Sequence, residues 1–124
     1  MNKETIKEQF IALQNNIVLA LENADTKGKF KTDLWERAEG GGGITKVIEN
    51  GHILEKGGVN FSAVHGNLSS NVADLLHVKP ESFFASGVSI VIHPHNPFVP
   101  IIHMNIRYFE LENGDYWFGG GIDL

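Results

Sequence analysis

An α+β domain with an antiparallel sheet is the fold class this sequence predicts, and three observations carry it. One amphipathic helical stretch opens the chain and does not recur. Short segments rich in Ile, Val, Phe and Tyr then follow one another to Leu124. Asn50-Gly51 and Asn113-Gly114 punctuate them, and Asn-Gly pairs favour tight hairpins. A helix followed by hairpin-linked strands implies an antiparallel β-sheet flanked by helices. Residues 1–124 read as a single domain, since a chain of this size seldom holds more than one.

Residues 4 to about 24 form the helix. Ile6, Phe10, Leu13, Ile17 and Leu21 follow the i, i+4, i+7 spacing of a buried stripe, with Lys7, Glu8, Gln14 and Asn15 on the other face. Glu4 suits the first turn and Gly28 lies just past the end. Residues 29–39 are mixed, and Gly40 to Gly43 read as too flexible for a strand interior. Ile44–Glu49 and His52–Lys56 form the first hairpin, with a bulge or bend at Gly57-Gly58 before Val59–Val64. Residues 66–82 read as a loop with a helical turn around Val72–Leu76. Gly87–His93 and Ile101–Leu111 are strands separated by Pro94, Pro97 and Pro100. Asn113-Gly114 turns the chain into Asp115–Phe118 and a second glycine run, Gly119 to Gly121.

Bulk properties exclude several function classes. The net charge of −5 lacks the concentrated basic surface that nucleic acid or an acidic membrane demands. No run of 18 apolar residues and no signal-peptide core occur, so the default reading is a cytoplasmic protein. Without cysteine there are no disulfides, thiolate metal sites or cysteine nucleophiles.

The chemistry concentrates on one strand face. Along Ile101–Phe109, period-two alternation puts His103, Asn105 and Arg107 on one side and Ile102, Met104, Ile106 and Tyr108 on the other. Ser89, Val91 and His93 share a face of the preceding strand, so pairing of the two would gather Ser89 and His93 onto the same polar surface. A guanidinium fork suits a carboxylate, imidazole exchanges protons near neutral pH, and Ser and Asn fix orientation. Such a face reads as the wall of an anion site or as an ordinary solvated sheet surface. Three further readings compete with it. Gly87, His93 and His95 match the start of a cupin metal motif, but Val99 and Pro100 occupy the place of its glutamate. The glycine quartet lacks the residues of a phosphate loop, which leaves a mobile loop or a close approach to a flat ligand. No Gly-x-Ser-x-Gly elbow surrounds Ser89. His52, His65 and His77 read as structural or solvent-exposed.

Several blocks, in order, carry a resemblance: Trp35-Glu36-Arg37 with Gly40 to Gly43, Gly57-Gly58-Val59-Asn60-Phe61-Ser62, Gly87 to Pro94, Asn96-Pro97-Phe98-Val99-Pro100, His103 to Phe109, and Trp117 to Leu124. Together they resemble the N-terminal portion of the oxygen-dependent coproporphyrinogen III oxidases. The resemblance implies oxidative decarboxylation of two propionates of coproporphyrinogen III to vinyls, giving protoporphyrinogen IX in haem biosynthesis. Carbon dioxide and hydrogen peroxide leave. It implies molecular oxygen as co-substrate, no organic cofactor, and a divalent metal only if His93 is a ligand. It also implies a tetrapyrrole substrate and a homodimer. Residue by residue, the substrate-contacting serine falls on Ser89, the metal-associated histidine on His93 and the proton donor on His103. The substrate-binding Asn-x-Arg segment falls on Asn105, Ile106 and Arg107; His95 inherits nothing.

Members of that family are longer than this chain, with further histidines and dimer surface in the part not represented. The expectation is therefore a partial domain with little or no oxidase activity alone, whose open sheet edge associates with itself or with a complementary chain. A non-catalytic porphyrin- or anion-binding protein is the second expectation, and a small cupin-like metal enzyme the third.

Overall fold

A computed structural model describes residues 2–77 and 81–124. Helix α1 (Lys3–Asp25) precedes strands β1 (Lys31–Glu36), β2 (Gly41–Glu49) and β3 (Leu54–Asn67). A short helix α2 (Ser70–Leu75) leads to β4 (Ser82–Pro94), β5 (Ile102–Leu111) and β6 (Tyr116–Asp123). The six strands form one antiparallel sheet in chain order, β1 to β6. The predicted class stands.

α1 begins at Asn2, whose Oδ1 accepts from the Glu4 amide at 2.9 Å, and ends at Thr26 in the left-handed region (φ 71°). It lies against β3 and β4. Ile6, Phe10 and Val18 are buried with Val59, Phe61, Val88, Ile90 and Tyr108, and Leu13, Ile17 and Leu21 pack at the margin. Each full burial of this kind is worth roughly 1.5–3 kcal/mol. The stripe is therefore centred on an i, i+4 line through residue 14, and Gln14 is not on the polar face. It is fully buried, and Nε2 donates to the Ile44 and Val59 carbonyls at 2.7 and 2.9 Å. A polar side chain gains its place in the stripe because it meets sheet carbonyls.

The glycine quartet behaves differently from expectation. Gly40 is a turn residue (φ 132°), while Gly41 to Gly43 are ladder positions inside β2: Gly41, also at positive φ (86°), pairs with β3 alone, and Gly42 and Gly43 pair with β1 on one side and β3 on the other. The residues that read as mixed include β1. The reason is steric: a Cβ on Gly42 would stand 2.3 Å from the Trp35 carbonyl oxygen, and one on Gly43 would stand 2.4 Å from the Trp35 indole. Absent side chains allow the β1 ladder and the indole to close on β2, so Gly41 to Gly43 are strand and not the mobile loop expected.

The first hairpin also differs. Asn50 has positive φ (53°), but its amide donates to the Glu55 carbonyl, so the turn is longer than two residues. The register shift in β3 falls between Leu54 and Lys56, not at Gly57-Gly58. Asp25 shapes this turn. Its buried carboxylate accepts from the amides of Gly28, His52, Ile53 and Leu54 at 2.7–2.9 Å, tying the end of α1 to the β2–β3 connection. Burial alone would push this acid up, but the amides of Leu54, Gly28, His52 and Ile53 outweigh it and hold it well below the usual carboxylate range.

β3 and β4 both reach into the segment that read as a loop over 66–82, and α2 is the helical turn expected around Val72–Leu76; residues 78–80 of that loop lie outside the described residues. At this end a second small core forms on the sheet face opposite α1, where Leu68, Ala73 and Leu111 pack with Phe83 and Phe109. The second turn is as predicted, with Gly114 at φ 98°, and β6 then continues through its glycines to Asp123.

Candidate functional site

Antiparallel pairing puts directly opposed residues on one face. Ser89 opposes Asn105, Gly87 opposes Arg107, and Val91 opposes His103. Asn60 lies beyond Ser89 on β3, while Gly121, Gly119 and Asp123 of β6 oppose Asn105, Arg107 and His103. All belong to the face that α1 leaves open. The expected gathering of Ser89 and His93 with His103, Asn105 and Arg107 is thus what the register delivers. His103, Asn105 and Arg107 are exposed, whereas Met104 and Tyr108 face the core side. Ile106, the middle residue of the Asn-x-Arg segment, is paired with buried Val88 and lies on the opposite face, so only its backbone borders the site.

The two ion pairs among the described residues, Lys7–Glu4 and Arg37–Glu39, leave Arg107 uninvolved. Its fork is therefore free for an incoming anion. A recess of about 300 Å³ lies beside it, lined by Asn105, Arg107, Phe109, Trp117, Gly119 and Gly120. The larger hollow, about 890 Å³, lies at the α2 end of the sheet and is lined by Glu39, Glu110 and Glu112 against one lysine, Lys3. Its charge suits an anion poorly. Tyr108 contributes no titrating group to either: burial pushes its phenol up, and the Glu110 carboxylate that accepts its hydrogen bond at 2.6 Å pushes it further.

His93 and His103 stand with ring centroids 6.4 Å apart. Among the described residues no group of three or more His, Cys, Asp or Glu side chains is placed to hold a metal. Two imidazoles fall short of the three or four protein ligands of an ordinary site, so these residues do not by themselves fit one. The His95 ring nitrogen is engaged 2.9 Å from the Gly51 carbonyl oxygen, away from any pairing with His93. His65 and His77 are exposed, as expected, and His52 is exposed with its amide on Asp25.

Sequence reading gave no role to Phe109, Trp117, Gly119 or Asp123. The signal was present in the period-two alternation, but placing it required the β5–β6 register across a glycine run. Gly58, Gly119 and Gly121 make this face low. A Cβ on Gly119 or Gly121 would meet nothing within 4 Å, and one on Gly58 only the Lys46 carbonyl oxygen at 4.0 Å. Gly119→Leu is accordingly expected to leave the thermal midpoint within a few degrees while filling the recess and weakening anion binding more than about tenfold. Thermal unfolding and calorimetric titration of one sample check both halves.

A family model described as coproporphyrinogen III oxidase matches residues 5–124. The chain belongs to the coproporphyrinogen III oxidase family. It is 47% identical over 125 residues to the oxygen-dependent coproporphyrinogen-III oxidase of Prochlorococcus marinus subsp. pastoris, covering 99% of this chain and 36% of that protein. It is 48% identical over 120 residues to the enzyme of the same name from Prochlorococcus marinus strain NATL1A, covering 95% of this chain and 34% of the relative. The chain therefore spans about a third of the length of these oxidases. Among the described residues no helix is long and apolar enough to cross a membrane.

Proposed function

We propose that this chain supplies the carboxylate-holding wall of an oxygen-dependent coproporphyrinogen III oxidase site. The observation that carries the reading is the free guanidinium of Arg107 on the open face, opposite Gly87 and flanked by the directly opposed pair Asn105 and Ser89. A propionate would lie on Arg107 through two parallel N–H···O bonds, with Asn105 and Ser89 fixing its torsion.

For each propionate the overall change is loss of carbon dioxide and of a hydride equivalent from the adjacent side-chain carbon, leaving a vinyl group. Molecular oxygen takes that hydride equivalent with one proton and leaves as hydrogen peroxide. His103 is the group on this face suited to moving the proton. Asp123 opposes it on β6. His93 lines the same end. A metal there would need ligands beyond these, and no step assigned to the face depends on one. A homodimer, implied by the resemblance, and a cytoplasmic location belong to the same reading.

Coproporphyrin III, the stable oxidised tetracarboxylate, and its tetramethyl ester separate anion recognition from mere stickiness. The tetracarboxylate is expected to bind at least about a hundredfold more tightly, since the ester cannot accept the charged pair. Equal affinity for the two would overturn the reading.

A further inference from the structure

One feature of the open face is left without a role by carboxylate recognition: a ladder of three aromatic rings beside the arginine. Phe109 and Trp117 are directly opposed across β5 and β6, with ring centroids 4.8 Å apart and planes 25° apart. On its other side Phe109 stacks on Phe83, at 5.5 Å and 3°. The Phe83 end is fixed by the second core, against Leu68, Ala73 and Leu111. The Trp117 end is not covered: the indole is 39% exposed. A ring ladder with one end anchored and the other open is a rigid wall rather than a plug.

What the wall faces is set by the same register. Arg107 lies two residues before Phe109 on β5, hence about 7 Å away along the strand on the same face. Gly119 opposes Arg107 and lies two residues beyond Trp117 on β6, and the space over it is empty. The recess is therefore bounded by a guanidinium on one side, stacked rings on another and a glycine floor beneath. Its volume of about 300 Å³ stands at the bottom of the ~300–1,000 Å³ range of small-molecule sites. That suits one ring with a short acidic arm and is too little for a whole tetrapyrrole.

We propose that the Phe109–Trp117 shelf reads the ring that bears the carboxylate held by Arg107, so that the recess takes one pyrrole arm of a polycarboxylate macrocycle at a time. This rests on the carboxylate-holding function proposed above and extends it to the ligand's ring. Edge or offset contact with the indole, the preferred geometry for aromatic pairs, would fix the plane of that pyrrole and present its arm to the fork. Ring and arm together then set which propionate is engaged, whereas the arginine alone would accept any carboxylate.

Trp35 and Trp117 are the only tryptophans, so a Trp35→Phe background leaves Trp117 as the sole indole reporter. Two probes are titrated into it: a single pyrrole bearing one propionate, and coproporphyrin III. Both are expected to change Trp117 emission saturably. Calorimetric titration reads the variants that lack the indole: Trp117→Ala is expected to weaken both probes about tenfold, and Trp117→Phe, which keeps a stacking ring, to hold affinity within about threefold. Arg107→Ala, titrated in parallel, separates the two claims. If it weakens binding while Trp117→Ala does not, the shelf is wrong and the carboxylate site stands. If Arg107→Ala binds as tightly as the parent, the carboxylate site itself is wrong. Equal loss in Trp117→Ala and Trp117→Phe would also overturn the shelf, because it would mark the indole as packing rather than as a ring surface.

Discussion

Asp25→Ala is expected to destabilise the fold by about 3–5 kcal/mol, the largest effect of any single substitution considered. The carboxylate is buried and accepts four short backbone bonds, from Gly28, His52, Ile53 and Leu54. Removing it strands those N–H groups, and each buried donor without a partner costs about 1–3 kcal/mol before relaxation and water entry. Asp25→Asn keeps the shape but turns an N–H₂ toward amides that need an acceptor, so it is expected to recover only part of the loss. Urea unfolding measures both. The pH dependence has a defined sign. The folded-state acid titrates well below its unfolded value of 3.8, so its contribution is complete above about pH 4 and is lost as pH falls from there toward the folded value. The stability gap between the parent and Asp25→Ala should therefore shrink below about pH 4. A gap unchanged between pH 6 and pH 3 would contradict the assignment.

Arg107→Ala is expected to weaken coproporphyrin III binding about a hundredfold with no loss of stability. The side chain is exposed and takes part in neither described ion pair, so the fold does not lean on it. A charged, bidentate bond to a carboxylate is worth about 1.5–3 kcal/mol, or tenfold to more than a hundredfold in affinity. Arg107→Lys keeps the charge but loses the planar fork, and should fall between the two. Calorimetric titration distinguishes the three proteins; equal affinities would remove Arg107 from the site.

The sheet face was legible before the fold because strand alternation needs only local spacing. His103, Asn105 and Arg107 follow at every second residue, and so do Ser89 and His93. What joined the two groups was register, and the long β4–β5 pairing supplies it. The recess was not legible. Phe109 and Trp117 oppose each other just before the glycines of β6, but Gly119 comes to face Arg107 only because pairing runs on into residues whose local preference opposes a strand. The same bias hid Gly41 to Gly43 inside β2, where tertiary packing of Trp35 overrides flexibility. Gln14 and Asp25 show a different failure. Both are polar residues with backbone partners 27 to 45 positions away, and no local pattern announces such a partner.

The fold also explains why this face, and not the other, is available for a ligand. α1 covers β3 and β4 from one side only, and on the opposite side the second core under α2 occupies just the far end. Between that core and the His93–His103 end lies a low floor of Gly58, Gly119 and Gly121. The space over Gly119 and Gly121 leaves room for the edge of a flat ligand beside Arg107 and Asn105.

Titration of the ¹⁵N-labelled chain with coproporphyrin III tests the placement of that ligand most directly. Amide shifts are expected at Gly58, Ser89, His103, Asn105, Arg107, Gly119 and Gly121, and not along α1. Shifts confined to α1, or to the acidic hollow around Glu110 and Glu112, would contradict the open face as the binding surface.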